Sequence, residues 1–423
     1  MLRKQLMALP ITCLSPITKS QNRVIFCVIN KRISYSNFMQ LPYQQIESID
    51  NNDIEASTMK HENIPSIFYE YLTNVTPKFK DKILENYFTV TSINNTDPYL
   101  ISREIGNDFV ALIKDDLLES VSHVIELNPG FGVLTESLLQ AGVPFINLYE
   151  KYNEFHSTLN NLSNAYPGRL KIKRGNLFTM SKMLNLNIKE KPHTNICELL
   201  GDIPRRKWDD ESCMQIIGTT TKHLFVRHLI ISIIFQTGFM MYGRPIFYLA
   251  LSPSVWNTFM YNGKKASTNC IMFNILLDYK IFGTIDRRGF IPCLRKKKKV
   301  NNNKGRKTDS EMLYVVKLEP KADLLKLFDG KDSLIYFWHF VRHHFYKPSL
   351  RVIPALEKIV PDCGLRLIEK NYNIFTEFGH LSPSQVFDLF IEFKSWPEFK
   401  DSSFLLSANE IKKTYDPYME ECE

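Results

Sequence analysis

The sequence predicts an α/β fold that begins with the first half of a nucleotide-binding sheet. A short apolar run at residues 124–127 has the length and β-branching of a buried strand. It ends in a turn that contains Gly130 and Gly132, and residues with helical spacing follow. A second apolar run, residues 143–149, ends on Glu150. Strand, glycine turn, helix, strand and acid in this order are typical of sheets that bind a nucleotide at their carboxyl edge.

The residue types at this turn suit a ligand with a ribose. Glycines let the backbone approach a ligand closely, and Asn128 is of a type that tolerates a left-handed backbone. Glu150 lies 20 residues after Gly130, and an acid there can accept hydrogen bonds from both ribose hydroxyls. A nicotinamide-dependent oxidoreductase would show the same stretch, so the turn alone leaves the class of enzyme open.

Length and composition indicate a large globular protein. A chain of 423 residues suits two domains and a tail, and its 44% apolar and 12% aromatic content can bury a large core. The eight cysteines are scattered and form no C-x-x-C pair. They indicate neither a disulfide framework nor a zinc site, which suits a reducing compartment. No metal site is predicted.

The positive charge is concentrated in one segment. The net charge is +8, yet residues 287–307 alone hold ten Lys or Arg and no acid, so the rest of the chain is nearly neutral. Asn and Gly interrupt this run, which predicts a loop and not a helix. We expect one nucleic-acid-binding arm rather than a general basic coat. Its candidate residues are Arg287, Arg288, Arg295, Lys296, Lys297, Lys298, Lys299, Lys304, Arg306 and Lys307.

The N-terminal composition predicts a targeting segment. Residues 1–46 contain Lys, Arg, Ser and Thr but no Asp or Glu, as in a mitochondrial transit peptide. A disordered tail is the alternative. Residues 47–76 are acidic and Asn-rich and are interpreted as a linker. We predict a sheet domain over residues 77–320 and a helical domain over residues 321–423.

Residues 126–138, ELNPGFGVLTESL, resemble the first motif of the rRNA adenine N6,N6-dimethyltransferases, which bind S-adenosylmethionine there. The resemblance implies a Rossmann-like methyltransferase sheet of seven strands, the last one antiparallel, followed by a small all-helical C-terminal domain. It also implies S-adenosylmethionine as cofactor. The residues expected to bind it are Leu100, Glu126, Asn128, Gly130, Gly132, Glu150 and Asn176.

Two further motifs match the family in part. Tyr99 and Leu100 retain the aromatic residue and the leucine of a Gln-Asn-Phe-Leu motif that covers the methionine end of the cofactor. Gly175 and Asn176 resemble a Gly-Asp motif whose acid bonds the adenine amino group. An amide oxygen can accept that bond, but without the charge assistance that makes it strong. The resemblance therefore implies a retained but weakened cofactor site.

The catalytic motif departs furthest from the family. Residues 196–206 fall where the family has Asn-Leu-Pro-Tyr. Asp202 takes the place of the Asn, Pro204 is kept, and Arg205 replaces the aromatic residue that stacks on an extruded base. The permanent charge of an Arg disfavours the cation that develops on a methylated amine. We expect weak or lost methyl transfer.

The remaining elements follow from hydrophobic spacing. Residues 219–241 predict a buried helix, since early charges and Gly238 leave too short an apolar core for a membrane span. Residues 246–251 predict a strand, and residues 275–283 and 313–318 predict a closing antiparallel pair around the basic loop. Helical spacing dominates beyond residue 320. Its aromatic and imidazole-rich stretch, residues 338–345, predicts core packing rather than a metal site.

Residues 242–244, 313–320 and 340–345 resemble the mitochondrial transcription factor B branch of the family. This implies a monomer in the matrix nucleoid, without membrane insertion, that works with the mitochondrial RNA polymerase and the melted strand of promoter DNA. Mitochondrial small-subunit rRNA is the partner that an active enzyme would have. Three hypotheses follow: a transcription initiation factor, an active rRNA adenine dimethyltransferase, and an oxidoreductase. The last lacks a convincing catalytic Tyr-x-x-x-Lys or His-Asp pair.

Overall fold

A computed structural model describes residues 89–90, 98–120, 122–179, 199–294 and 311–415. The strands in this part of the chain are β1 Thr89–Val90, β2 Tyr99–Leu100, β3 His123–Leu127, β4 Ile146–Glu150, β5 Leu170–Arg174, β6 Met214–Thr220, β7 Pro245–Leu251, β8 Leu277–Asp286, β9 Phe290–Ile291, β10 Cys293–Leu294 and β11 Met312–Pro320.

The helices in the same part of the chain are α1 Arg103–Glu119, α2 Val133–Gln140, α3 Asn153–Ala165, α4 His223–Phe235, α5 Pro253–Phe259, α6 Thr268–Leu276, α7 Leu324–Leu327, α8 Lys331–His344, α9 Val352–Leu356, α10 Gly364–Glu369, α11 Pro383–Ser395 and α12 Ser403–Tyr415.

Seven strands form the central sheet, in the order β5-β4-β3-β6-β7-β11-β8. β5, β4, β3, β6 and β7 are parallel, and β11 lies antiparallel between β7 and β8. β6 and β7 are buried along their whole length, as expected of strands covered by helices on both faces. The predicted methyltransferase-like sheet, with its last strand antiparallel, is confirmed.

Two element boundaries differ from the prediction. The predicted helix over residues 219–241 is shorter, because Thr219 and Thr220 belong to β6 and α4 covers only His223–Phe235. Only two residues separate the apolar strand from the apolar helix, so the hydrophobic pattern does not mark the boundary. The predicted strand at residues 275–283 starts later, since α6 includes Ile275 and β8 begins at Leu277.

The C-terminal helices share one hydrophobic core with the sheet. The cluster of buried side chains runs without a break from Ile125 in β3 to Phe404 in α12. The rings of Phe235 in α4 and Trp338 in α8 meet edge to face, with centroids 5.2 Å apart. Helices are therefore confirmed in this region, but they pack on the sheet's own helices, and the boundary at residue 320 stays a prediction.

The apolar segment His223–Tyr242 satisfies the length and hydropathy of a membrane span, but 67% of its apolar 18-residue window is buried within the protein. Phe225, Val226, Leu229 and Ile233 lie in the core below the sheet. Core packing thus accounts for the hydrophobicity of this segment, as the sequence predicts.

Candidate cofactor site and acceptor loop

The glycine turn joins β3 to α2 and has the backbone conformation that the sequence predicts. Asn128, Gly130 and Gly132 all have positive φ, of 51°, 56° and 75°. A Cβ atom on Gly130 would lie 2.4 Å from Cδ1 of Tyr99, and one on Gly132 would lie 3.0 Å from Cδ2 of Leu162. Both glycines are thus required by conformation and by space.

Glu150 lies at the carboxyl end of β4 and has no exposed surface. Its Oε2 accepts from the Gly130 N–H at 3.0 Å, and its Oε1 accepts from the Tyr152 N–H at 2.9 Å. The carboxylate therefore fixes the glycine turn by charge-assisted hydrogen bonds. A carboxylate oxygen can accept more than one hydrogen bond, which is what an interaction with a ribose hydroxyl would require.

Asn128 supplies the clearest sign of a missing partner at the turn. Its side chain is 8% exposed, and neither Oδ1 nor Nδ2 has a hydrogen-bond partner among the residues that the structure describes. Buried amides are normally paired, so an unpaired one needs an explanation. Together with the glycine turn and Glu150, this amide fits the polar edge of a nucleoside such as the adenosine of S-adenosylmethionine.

Aromatic rings close over the same turn. Tyr99 in β2 is 1% exposed, and its ring centroid lies 4.8 Å from that of Phe155. Phe131 meets Phe155 edge to face at 5.0 Å. Tyr99 also packs against Gly130, whose N–H bonds the Glu150 carboxylate, so the rings lie over the turn that Glu150 holds. The motif match at Tyr99 and Leu100 indicated an aromatic cover, but the contributions of Phe131 and Phe155 were not predicted.

Glu126 lies inside β3 and is fully buried. Burial, and to a smaller extent the nearby charge of Glu150, raise the pKa of Glu126 to about 8. The Thr135 hydroxyl donates to Oε2 at 2.7 Å, which opposes that rise in pKa. The hydrogen bond between Thr135 and Glu126 thus links α2 to β3.

Asn176 lies beyond the carboxyl end of β5, next to Glu150. The Gly175 N–H donates to the Glu150 carbonyl at 3.1 Å, which connects the two strand ends. Asn176 is 7% exposed, and its Oδ1 accepts from the Phe178 N–H at 3.0 Å. The structure thus brings the predicted cofactor residues of β3, β4 and β5 to one edge of the sheet, with Leu100 buried beside Gly106 of α1.

The predicted catalytic residues lie elsewhere. Asp202 is exposed beside edge strand β5 and binds both Lys171 and Lys173 at 2.7 Å, which lowers the pKa of Asp202 to about 2. Exposed Pro204 and Arg205 lead into Arg206, whose N–H donates to the Tyr242 carbonyl near the start of β7. These residues precede β6 in the chain, and Asp202 is bound at edge strand β5, two strands away from β3 and its glycine turn. The structure therefore does not place them beside the cofactor turn, which corrects that assignment.

We infer that the acceptor position lies at the carboxyl end of β6 and in the two residues that follow it. β6 pairs with β3 so that Gly218 lies opposite Leu127, just before the glycine turn. In an open α/β sheet, ligands bind at the carboxyl ends of such strands. The residues after Gly218 are Thr219, Thr220, Thr221 and Lys222, which we call the acceptor loop. The three threonines are buried, and the Thr220 hydroxyl accepts from the Lys222 N–H at 3.2 Å.

The base of the basic loop is structural. Arg287 is 4% exposed and donates to the carbonyls of Phe290 and Pro292 at 2.9 and 3.1 Å. It is not available to a nucleic acid, so that assignment was wrong. Arg288 is exposed, and its Nε donates to Asp286 at 2.8 Å. The other candidate cations of the loop, residues 295–307, lie outside the described residues.

The imidazole-rich stretch packs into the core. His344 is fully buried, stacks on Phe378 with centroids 4.6 Å apart, and has a pKa lowered to about 3 by burial. His339 lies 2.8 Å from the Ser407 hydroxyl, and burial lowers its pKa to about 4. Within the part of the chain that the structure describes, no group of three or more His, Cys, Asp or Glu could hold a metal ion.

Comparison with known proteins identifies the family. No family model matches the chain. The mitochondrial dimethyladenosine transferase 2 of Drosophila melanogaster is 31% identical over 329 residues, which are 67% of this chain and 72% of that protein. The mitochondrial dimethyladenosine transferase 2 of Mus musculus is 23% identical over 322 residues, 70% of this chain and 78% of that protein.

Among solved structures, a dimethyladenosine transferase from Plasmodium falciparum is similar over 70% of this chain and 97% of its own, at 13% identity and a TM-score of 0.43. The fold assignment rests on the strand order and not on this likeness. Both dimethyladenosine transferase 2 relatives are mitochondrial proteins, which gives this chain a mitochondrial localisation. With 31% identity across two thirds or more of both sequences, the chain belongs to the family of the mitochondrial dimethyladenosine transferase 2 proteins.

Proposed function

We propose that this protein is a mitochondrial transcription initiation factor that helps the mitochondrial RNA polymerase to melt promoter DNA. It uses an rRNA adenine dimethyltransferase fold in which methyl transfer is weak or lost. The observation that carries this proposal is the acceptor loop at the carboxyl end of β6, which reads Thr219, Thr220, Thr221 and Lys222 beside an intact glycine turn.

The acceptor loop lacks the groups that adenine methylation needs. The family uses an Asn side chain and a backbone carbonyl to hold the adenine amino group, and an aromatic ring to stack on the extruded base. The loop here offers hydroxyls and an ammonium group. The Thr220 hydroxyl already accepts from the Lys222 N–H. A lysine charge disfavours the cation that develops on a methylated amine, because like charges repel.

The cofactor end supports weak binding of S-adenosylmethionine, which supplies the methyl group when bound. Glu150 would accept from the ribose, Asn128 would pair its free amide with the nucleoside, and Asn176 would lie near the adenine. Glu150 has no exposed surface, and Tyr99 packs against Gly130. Binding therefore has to displace whatever side chain covers Glu150, and the free energy of that displacement lowers the affinity.

The proposed partners are the mitochondrial polymerase and the melted strand of promoter DNA, with small-subunit rRNA as the partner of the alternative. The basic loop is the proposed DNA-binding element, without Arg287. In one variant, Lys296, Lys297, Lys298 and Lys299 are replaced by serine. The slope of log DNA affinity against log salt concentration should become shallower by about 0.9 for each phosphate that the variant no longer neutralises. Relative promoter preference should survive, since phosphate contacts carry no sequence information. An unchanged slope would contradict this role of the loop.

Run-off transcription tests the proposed function. The cognate mitochondrial polymerase would be assayed on linear promoter DNA and on the same template with a pre-melted start site, each with and without this protein. We expect strong stimulation on the closed template and much less on the pre-melted one, because melting is the step assisted. Equal transcript yields with and without the protein on closed DNA would contradict the proposal.

An active rRNA adenine dimethyltransferase is the second candidate. It is favoured by one observation, the conformation of the glycine turn with Glu150 bonded to Gly130. That conformation is necessary for methyl transfer but not sufficient, because the acceptor must also be held. Dimethylation of an rRNA hairpin by the purified protein would favour this candidate.

A further inference from the structure

Two exposed aromatic rings stand out on the helical side of the protein, far along the chain from the basic loop. Tyr346, just after α8, is 70% exposed, and Phe375, between α10 and α11, is 66% exposed. Single exposed apolar residues are common on protein surfaces. Two large rings at this exposure leave their faces open for stacking by a ligand.

Hydrogen bonds hold three segments side by side at this place. The Gly379 N–H donates to the Pro348 carbonyl and the Val352 N–H donates to the Thr376 carbonyl, at 2.8 and 2.9 Å. The Ala266 N–H donates to the Gly379 carbonyl at 2.8 Å, which adds the loop between α5 and α6. Residues 261–266, 346–351 and 373–380 therefore form one surface, which we call the aromatic–basic surface.

Cations are interleaved with the two rings. The Arg351 guanidinium lies 5.2 Å from the centroid of the Phe375 ring. Lys265 binds Glu377 at 3.0 Å. Lys264 and Lys347 are exposed, and neither forms an ion pair with an acid in the part of the chain that the structure describes. Four Lys or Arg therefore face one carboxylate, so the surface attracts a polyanion.

We propose that the aromatic–basic surface binds single-stranded nucleic acid, by stacking unpaired bases on Tyr346 and Phe375 and holding phosphates with Lys264, Lys347 and Arg351. Exposed rings among cations are the combination that tracks a single strand without reading its sequence. A duplex keeps its bases stacked on one another, so the rings give it no comparable contact. The inference rests on the proposed function, which supplies a single strand at a melted promoter.

The test uses the full-length protein and a short labelled oligodeoxythymidine, and fluorescence anisotropy measures their binding. The double variant Tyr346→Ala/Phe375→Ala should bind about 100-fold more weakly, about tenfold for each ring removed. Lys264→Ser/Lys347→Ser should flatten the log–log salt slope by about 1.4, at about 0.7 per phosphate on a single strand. Duplex DNA of the same length should bind the aromatic variant as it binds the unchanged protein.

Matched controls come from exposed residues outside the surface. Leu406→Ala removes an apolar side chain that is 66% exposed on α12, and Lys400→Ser removes an exposed cation. Both should leave single-strand affinity and salt slope unchanged. All substituted side chains are exposed, so thermal unfolding should match the unchanged protein and exclude misfolding as the cause.

Two outcomes would overturn the inference. One is an unchanged single-strand affinity of Tyr346→Ala/Phe375→Ala. The other is loss of polymerase binding in this variant while single-strand binding is kept, which would make the surface a protein interface. Run-off transcription separates this inference from the proposed function. If the protein binds oligodeoxythymidine through these rings but does not stimulate transcription, the proposed function is contradicted and the inferred binding surface still stands.

Discussion

The carboxyl ends of β3 and β4 and the carboxyl end of β6 are neighbours on one sheet edge, yet they differ in what they keep of the family's pattern. The first region keeps both glycines and Glu150, and the carboxylate bonds the turn directly. The second region, the acceptor loop, consists of Thr219, Thr220, Thr221 and Lys222. We propose that these residues stand where the family has an Asn, a proline and an aromatic residue. In this proposal one region keeps the family's pattern and the other has lost it.

The difference has a physical reason. Glu150 and Gly130 hold the turn together, since the carboxylate accepts two backbone N–H groups and the glycine leaves room for Tyr99. Their loss would destabilise the sheet edge whether or not a cofactor binds. An acceptor Asn and its aromatic neighbour serve only the substrate. A retained cofactor motif is therefore weak support for catalysis when its residues also stabilise the fold.

The largest expected effect is that of Gly130→Ala. The new Cβ would be forced into a left-handed backbone and against Tyr99, so the free energy of unfolding should fall by about 2–5 kcal/mol. Gly168→Ala is the matched control, because Gly168 has φ of +74° but nothing within 4 Å of an added Cβ. It should lose only about 1–2 kcal/mol. Equal losses in urea denaturation would remove the structural role assigned to Gly130.

Substitutions of Glu150 test the role of the turn in stability and its role in cofactor binding. Glu150→Ala leaves the Gly130 and Tyr152 N–H groups unpaired, and each unpaired buried donor costs about 1–3 kcal/mol of stability. Glu150→Gln keeps one acceptor oxygen and should lose less. Titration calorimetry with S-adenosylmethionine should show weaker binding for both variants, by about 1.5–3 kcal/mol for the alanine. Unchanged binding in both would remove Glu150 from the cofactor site.

The buried Glu126 predicts a pH dependence of stability. Its pKa in the folded protein is raised to about 8 from an ordinary value of 4.5. Between these values the folded state binds the proton that the unfolded state has released, so stability falls as the pH rises. The fall should be about 1.4 kcal/mol per pH unit between about pH 6 and 7. Glu126→Gln should remove this dependence in chemical denaturation. A dependence that persisted in the variant would assign it to other groups.

Asn176→Asp gives the smallest expected effect. An Asp would restore the charged acceptor of the family's motif while keeping an oxygen for the Phe178 N–H. A charge-assisted hydrogen bond is about twice as strong as a neutral one, so S-adenosylmethionine affinity should rise about fivefold, or about 1 kcal/mol. Calorimetry that shows equal or weaker binding would place the adenine elsewhere.

The sequence predicted those parts of the molecule in which local pattern and chemistry coincide. The turn at Gly130 joins a β-branched strand to a helix, and the acid that ends β4 is separated from it by a fixed spacing. In the closing pair, apolar and polar residues alternate at the start of β8, and apolar residues run together at the start of β11. Both strands were therefore predicted despite the long segment between them. Each of these features can be recognised within a short window of sequence.

The missed features depend on burial and on element boundaries, which residue types alone do not reveal. β6 has only seven residues and runs almost directly into α4, so the acceptor motif was assigned to residues 202–205, one segment too early. Arg287 was grouped with neighbouring cations because its burial depends on the carbonyls of Phe290 and Pro292. The rings of Phe131 and Phe155 meet only after the chain folds. Composition reports charge but not burial.

Methyl transfer by the purified protein tests most directly whether the acceptor region has lost its function while the cofactor turn has been kept. Labelled S-adenosylmethionine would be incubated with a small-subunit rRNA hairpin and a protein preparation that stimulates run-off transcription. We predict no dimethyladenosine above the background of a Glu150→Ala control, because the acceptor loop cannot hold and stack the base. Robust dimethylation that disappears in Glu150→Ala would contradict the account and establish an active methyltransferase.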